Sequence, residues 1–472
     1  MFVTDVSVWN ELLGAVLQTF SLILMGDNTM NDPARFRNQP IPLLVLSMSS
    51  PVMFSLLVQA LYNIVDTICI SSYSPQHGLS ALSLAFPLQL VLNAVANGTG
   101  AGAGILISRA EGEKKFSEIP LLTSSALFGA ILSWGLACVL MLPVLSLYYH
   151  FFFQNTQMIA MGVQYCRIVI FLSIFLFVES VCTRIVQAHG CTLIPMLYQA
   201  LGAVINIILD PLMVFGMGLF PALGVSGAAI ATVLGQGVAM MCAILTMFLG
   251  GHLTRPSFKM FFLRSIYCAG LPAMLTSALV SVYVTGINGV LSAFSEEAVT
   301  SLGIYYKIQT FVLIPTCGME HGILPILSYN IGAGNQRRTL GILHFSLVFS
   351  TFFLVIAMIG TNMFLPLLLR LLSATPQLTI TAIPALRIIS TAFPLFGITI
   401  LIPTLLQAAG HTRECLSVVI LRQVILLVPL AVVLSKLGLT AVWFTFPISE
   451  IIAAAVCIVL LLRYRRRYMY AI

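Results

Sequence analysis

Apolar runs of about 20 residues or more recur along the whole chain, broken only by short polar stretches. A helix needs roughly 20 apolar residues to cross the hydrocarbon core of a bilayer. Twelve stretches reach that length, at about 40–70, 79–107, 119–148, 159–188, 193–216, 226–249, 264–292, 299–329, 337–367, 380–409, 413–435 and 440–463. None shows the alternating short segments of a membrane β-barrel. The pattern predicts an all-α integral membrane protein with twelve transmembrane helices.

The chain also repeats itself. QAHGCT around Gln187 matches QAAGHT around Gln407, an offset of 220 residues. Ser108 and Gly112 match Ser328 and Gly332 at that offset, as do Gly98 and Gly102 with Gly318 and Gly322. Pro51 and Pro272 fall one residue outside it. Each half then holds six spans, and an even number gives both halves the same orientation. Two pseudo-symmetric six-helix lobes around a central cleft are expected, with alternating access by rocking of one lobe against the other. The expected divisions are an N-terminal extension at 1–38, a first lobe at 39–250, a cytoplasmic linker at 251–263, a second lobe at 264–463 and a basic tail at 464–472.

Composition agrees with burial in lipid. Hydrophobic residues make up 59% of the 472 residues and charged residues 8%, against about 25% charged in soluble domains. The net charge of +7 does not gather into a basic domain, which argues against nucleic acid. Basic residues sit in alternate loops instead: Arg109, Lys114 and Lys115; Arg255, Lys259 and Arg264; Arg337 and Arg338; Arg413. With Arg35 and Arg37 before the first span and Arg463, Arg465, Arg466 and Arg467 after the last, the positive-inside rule puts both termini in the cytoplasm. The membrane expected is a plasma or bacterial inner membrane. Ten cysteines form no C-x-x-C pair and read as small buried apolar residues. Residues 1–30 hold an apolar stretch, Val6–Leu24, interrupted by Glu11 and lacking a basic leader. It reads either as an interfacial helix or as sequence ahead of a start at Met25 or Met30.

Against this apolar background the acids stand out. A carboxylate at the bilayer centre costs at least about 2.5–3.5 kcal/mol. Five fall within predicted spans: Asp66, Glu179, Asp210, Glu320 and Glu450. In the first span Gln59, Tyr62, Asn63 and Asp66 follow the spacing i, i+3, i+4, i+7 and share one face. In the fifth, Asn206 and Asp210 stand one turn apart; Thr232 lies in the sixth. These are hard oxygen donors, suited to Na+ or to a proton relay; the alternative is a set of interhelical hydrogen bonds that only hold the lobe together. Pro211 marks either a broken helix or a helix end before Gly216. Arg184 is expected to snorkel to the cytoplasmic interface. Glu179 is placed in the cleft. Glu320 is either a site for a cationic substrate or an internal partner of His321 or Lys307.

The run GTGAGAG from Gly98 has no following Lys-Ser/Thr and no preceding strand, so it is not a phosphate loop. Its G-x-x-x-G pairs predict close helix packing. No Walker, G-x-S-x-G or H-E-x-x-H motif occurs, and the seven histidines are dispersed. Neither ATP nor an enzymatic centre is indicated.

Over roughly residues 38–465 the chain resembles the multidrug and toxic compound extrusion (MATE) transporters. The resemblance rests on LYNIVDT with Asp66, NIILDPL with Asn206 and Asp210, GAAIAT with Thr232, the two QA-x-G segments, and SRAEG and SYNIG. It implies export driven by Na+ or H+ entry, with a cation site at Asp66, Asn206, Asp210 and Thr232 that would hold Na+ if Na+ is the coupling ion. Pro51 stands where family members have a proline proposed to bend the first helix. Some members also use acids on the seventh and tenth helices; none is present there, so coupling is expected in the first lobe. The expected function is antiport of small organic, cationic amphiphilic compounds, with Gln59, Tyr62, Asn63, Glu179 and Glu320 lining the substrate cleft. The alternative is a flippase for lipid-linked saccharides. No cofactor is expected beyond Na+ or H+ as coupling ion, and the partners are a small organic substrate and the bilayer, with the protein a monomer.

Overall fold

Long apolar runs leave the backbone no polar partner outside its own helix, and every span is helical. The structure is a computed structural model describing residues 34–73, 78–152, 155–217, 220–253, 259–371 and 376–469. The readings of residues 1–30 and of Arg255 lie outside them. No strand occurs among the described residues. In chain order the helices are α1 (Ile41–Tyr73), α2 (Gly78–Gly112), α3 (Ile119–Met141), α4 (Thr156–Leu172 and Ile174–Ala188), α5 (Leu193–Phe215) and α6 (Val225–Leu249). There follow α7 (Met260–Ser292), α8 (Glu296–Gly332), α9 (Gln336–Leu371), α10 (Pro376–Ser390 and Phe393–Ala408), α11 (Thr412–Ser435) and α12 (Leu439–Arg467). Among the described residues ten helices are long and apolar enough to cross a membrane, or up to twelve if each bent pair is one span.

The fourth and tenth spans are each a bent pair of helices. α4 bends by 43° and α10 by 47°. At the first bend Ser173 Oγ donates back to the Ile170 carbonyl at 2.7 Å, a side-chain bond that competes with the helical ladder. At the second, Pro394 opens the new helix, where its missing N–H costs nothing. Of the two readings of Pro211, the helix end is the one found: α5 runs unbroken through Pro211 to Phe215 and is capped by Gly216 at φ +73°.

The chain divides into two compact units. One holds Met1–Asn38 and Phe54–Gly270, the other Gln39–Met53 and Leu271–Ile472. The first stretch of α1 therefore groups with the second unit, and the first stretch of α7 with the first. Both transfers fall beside a proline, Pro51 in α1 and Pro272 in α7. Glycines make each transfer possible. In the first unit a Cβ on Gly270 would strike the Gly98 carbonyl, and one on Gly102 the Ile266 carbonyl. In the second unit Cβ atoms on Gly318 and Gly322 would strike Met53 and Ser49 of α1. The glycine pairs that match at offset 220 thus serve one purpose, backbone-close packing. Gly190 and Gly410, in the two QA-x-G segments, both end helices with left-handed φ, +96° and +80°, a conformation glycine adopts without Cβ strain.

Tyr149, Tyr165, Phe177 and Tyr198 anchor the core of the first unit; Tyr305, Phe393, Phe396 and Trp443 anchor that of the second. Outward-pointing side chains on the same helices are apolar too: Val139 is 70% exposed and Ile380 75%. Apolar surface on this scale calls for lipid, not water.

Candidate functional site

α1 brings its polar face into the first unit beyond Pro51. Gln59 and Asn63 are exposed, and Tyr62 and Asp66 are half-buried. Tyr62 shares a hydrogen bond with Gln59 and feels the charges of Asp66, Glu179 and Asp210. On α5, Asn206 and Asp210 are 3% and 0% exposed. Asn206 Nδ2 donates to Asp210 Oδ1 and to Thr232 Oγ1 on α6, both at 3.3 Å. α5 and α6 come this close because a Cβ on Gly202 would strike the Gly235 carbonyl, and one on Gly235 the Gly202 carbonyl. Asp66 lies within electrostatic reach of Asp210. Among the described residues Asp66 Oδ1, Asn206 Oδ1 and Asp210 Oδ2 are buried without a hydrogen-bond partner.

Three buried acceptors with no donor are a costly arrangement, about 1–3 kcal/mol each when left unmet. Two of them belong to carboxylates that repel one another. A bound cation or proton removes both penalties, whereas a further interhelical hydrogen bond would need donors that these residues lack. The oxygen set of carboxylates, amide and hydroxyl suits Na+ as well as it suits H+.

Glu179 is buried on α4 and held by its neighbours. Its Oε1 accepts from Thr183 Oγ1 at 2.8 Å and from Gln199 Nε2 at 2.9 Å. Thr183 has spent its proton there, so the 2.6 Å contact with Tyr198 has the tyrosine donating. Tyr165, 2% exposed, interacts with both Asp66 and Asp210 and accepts from Gln89 Nε2 at 3.0 Å. No spacing along α4 singled it out. Glu320 belongs to the second unit, half-buried on α8, while Lys307 is exposed. Pro51 is buried within an unbroken α1.

Two charged groups are held inside the first unit. Arg184 is 8% exposed, donates to Gln187 Oε1 at 3.3 Å, and packs its stem where Gly100 leaves room. Glu111, beyond the 79–107 bounds read for the second span, is buried at the end of α2 against His189, with which it pairs. His189 stacks on His252 at 4.0 Å. In the loop after α6, burial and then the His189 charge push the His252 pKa down to about 4. In the second unit, Arg422 Nε donates to Glu450 Oε1 at 2.5 Å, and Thr399 Oγ1 donates to Glu450 Oε2 at 2.8 Å. Glu450 is thus already compensated, unlike Asp66 and Asp210.

The MatE family model matches residues 51–212 and again 272–433. The chain belongs to the MatE family. The double match carries the internal repeat, since its copies begin 221 residues apart, at Pro51 and at Pro272. This MATE chain is a multi-pass membrane transporter, not an enzyme. It is similar to the multidrug export protein MepA of Staphylococcus haemolyticus (strain JCSC1435), 25% identical over 434 residues, covering 90% of this chain and 94% of that protein. MepA of Staphylococcus aureus (strain MSSA476) is 26% identical over 443 residues, covering 91% and 96%. Among solved structures, an outward-facing multidrug resistance MATE family transporter of the MOP superfamily superposes with a TM-score of 0.86 at 23% identity, covering 93% of this chain and 98% of that one. A MOP superfamily transporter from Pyrococcus furiosus, whose binding pocket is described as reversed in polarity, gives 0.84 at 22% identity over 92% and 98%. At such identities the MATE structures speak for the fold alone.

Proposed function

We propose that this MATE transporter exports small organic, cationic amphiphilic compounds in exchange for Na+ or H+, with the coupling ion held by Asp66, Asn206, Asp210 and Thr232. One observation carries the reading: Asp66 Oδ1, Asn206 Oδ1 and Asp210 Oδ2 are buried together without donors. The similarity to multidrug export proteins over nine-tenths of the chain supports the substrate class. Gln59, Tyr62, Asn63, Glu179 and Glu320 are proposed to meet substrate; of these, Tyr62 and Glu179 share one electrostatic neighbourhood with Asp66 of the proposed ion site.

The ion acts by preferring one of two conformations. A ligand that binds both equally shifts nothing, so ion and substrate must each favour a different state. In the outward-open state a cation on Asp66 and Asp210 relieves their repulsion and biases α1, whose polar face carries Asp66. Pro51 is the proposed bending point, because it removes one backbone donor from the middle of α1. Substrate is released as the ion settles, and rocking of the lobes returns the site to the cytoplasm. The protein is proposed to work as a monomer in the cell membrane with both termini inside.

A flippase for lipid-linked saccharides would need a strongly basic surface for pyrophosphate. Asp66, Asp210 and Glu179 make the first-unit set acidic, and Arg422 is paired with Glu450.

Proteoliposomes with an imposed Na+ or H+ gradient and a fluorescent cationic dye test the proposal. Dye should move against its own gradient with one of the two ions and stop when that gradient is collapsed. Dye movement that ignores both gradients would contradict ion-coupled antiport.

A further inference from the structure

The internal repeat gives the proposed ion site a counterpart in the second unit. The two family matches, 51–212 and 272–433, are offset by 221 residues. At that offset Asp66 falls on Ile287, Asn206 on Leu427 and Asp210 on Ala431. All three counterparts are apolar, buried, and part of one packed core. Where the first copy offers oxygens to a cation, the second offers hydrocarbon. One neighbour is kept: Tyr62 falls on Tyr283. Tyr62 stands in the field of three acids, Asp66, Glu179 and Asp210. Tyr283 stands in the field of one base and one acid, Arg422 and Glu450. Arg422 falls on Leu201 of the first copy, so the base belongs to the second copy alone.

Arg422 sits on an irregularity of α11, where Leu421–Leu426 form a π-helical segment between two α-helical ones. Such segments recur at functional sites, and an arginine inside a membrane span is expensive enough to ask for a role. Its Nε donates to Glu450 Oε1 at 2.5 Å, while Thr399 Oγ1 donates to Glu450 Oε2 at 2.8 Å. Phe396 lies under the guanidinium, 5.2 Å from Cζ to the ring centroid. The void beside the pair measures about 30 Å³, room for a water or two. Both Glu450 oxygens are taken, and the charge that neutralises them is covalently part of the chain.

We infer that Arg422 is a tethered counter-ion: its guanidinium fills the place a mobile cation would take at Glu450 and so keeps the second unit out of ion coupling. Arginine holds its charge at any working pH, so no ion or proton gradient can empty this place. Asp66 and Asp210 lack such a partner, and their neutralising charge must come from solution. The ions that drive each cycle are then bound in the first unit alone. This last step rests on the ion site proposed above; the role of Arg422 at Glu450 does not.

The test compares the native full-length protein with Arg422→Ala and Arg422→Ala/Glu450→Gln. Each is melted in detergent at fixed ionic strength while choline is replaced by guanidinium in the millimolar range. Arg422→Ala strands a buried carboxylate and vacates the place beside it. Its thermal midpoint should rise saturably with guanidinium, by several degrees more than that of the native protein. The paired variant has no carboxylate to neutralise and should respond as the native protein does. These differences are read in the second unit whether or not Asp210 holds an ion. In proteoliposomes the paired variant should keep the native half-saturating ion concentration for dye export, whereas Arg422→Ala, with Glu450 open to solution cations, should shift it several-fold. The paired variant buries no unmatched charge, so its ion dependence decides the matter even where Arg422→Ala does not insert. No guanidinium response in a folded Arg422→Ala, an equal response in the paired variant, or an altered ion dependence of the paired variant would overturn the assignment.

Discussion

Asn206 and Asp210 stand one turn apart on α5, and the Asn206 amide nitrogen reaches Asp210 Oδ1 at 3.3 Å. The same nitrogen reaches Thr232 on α6. The amide thus turns its donor toward protein oxygens and leaves its own carbonyl, with Asp210 Oδ2, unclaimed. The bond that positions the pair also orients the acceptors proposed to hold the ion.

Thr232→Val keeps the shape of the residue and removes one oxygen. A neutral hydrogen bond is worth about 1 kcal/mol net, and a factor of ten corresponds to about 1.4 kcal/mol. The half-saturating ion concentration for dye export should rise several-fold, with insertion unchanged. An unaltered ion dependence would take Thr232 out of the site.

Gly102 faces the backbone of α7 at a distance that excludes any side chain, whereas a Cβ on Gly135 meets nothing within 4 Å. Gly102→Ala should lower the thermal midpoint in detergent, with a cost on the order of 1–3 kcal/mol from overpacking. Gly135→Ala should leave it in place. Equal behaviour of the two variants would show that the α2–α7 approach is not tight.

His252 gives a pH prediction with a definite sign. Its folded pKa is lowered to about 4 from an ordinary 6.5. Between those values the unfolded chain binds a proton that the folded protein refuses, so stability should fall as pH drops from about 6.5 toward 4. His252→Phe retains a ring against His189 and should flatten the fall in thermal midpoint between pH 7 and pH 5. A parallel fall in both proteins would assign the acid sensitivity to other groups.

Glu179→Leu removes the acceptor used by both Thr183 and Gln199, which leaves two donors unmet at roughly 1–3 kcal/mol each. Glu179→Gln keeps an acceptor oxygen and should insert and fold near normally while weakening affinity for cationic dyes several-fold. Normal dye affinity in the glutamine variant would restrict Glu179 to a structural role.

Much of this was legible in the sequence because membrane proteins pay heavily for polarity in lipid. The apolar runs gave the helices, and the i, i+3, i+4, i+7 spacing put Gln59, Tyr62, Asn63 and Asp66 on one face of α1. Asn206 and Asp210 were readable as neighbours because one turn separates them. The glycines from Gly98 to Gly104 announced close packing, and Gly102 and Gly270 deliver it. What stayed hidden depends on residues that meet from distant positions. Arg422 and Glu450 are 28 residues apart and Glu111 and His189 are 78 apart, with no local spacing to relate them. The burial of Arg184 was hidden for the same reason: Gly100 and Gly104, about 80 residues earlier, make room for its stem. The bends at Ser173 and before Pro394 likewise follow from local hydrogen bonding that an apolar count does not register.

The most direct test of the account replaces one oxygen. Asp210→Asn keeps the size of the side chain and removes the charge proposed to hold the coupling ion. In proteoliposomes bearing the gradient that drives the native protein, this variant should insert to the same level and lose gradient-driven dye accumulation by at least 10-fold. Full gradient-driven accumulation by Asp210→Asn would contradict the claim that the Asp66–Asn206–Asp210 cluster is where ion movement is coupled to export.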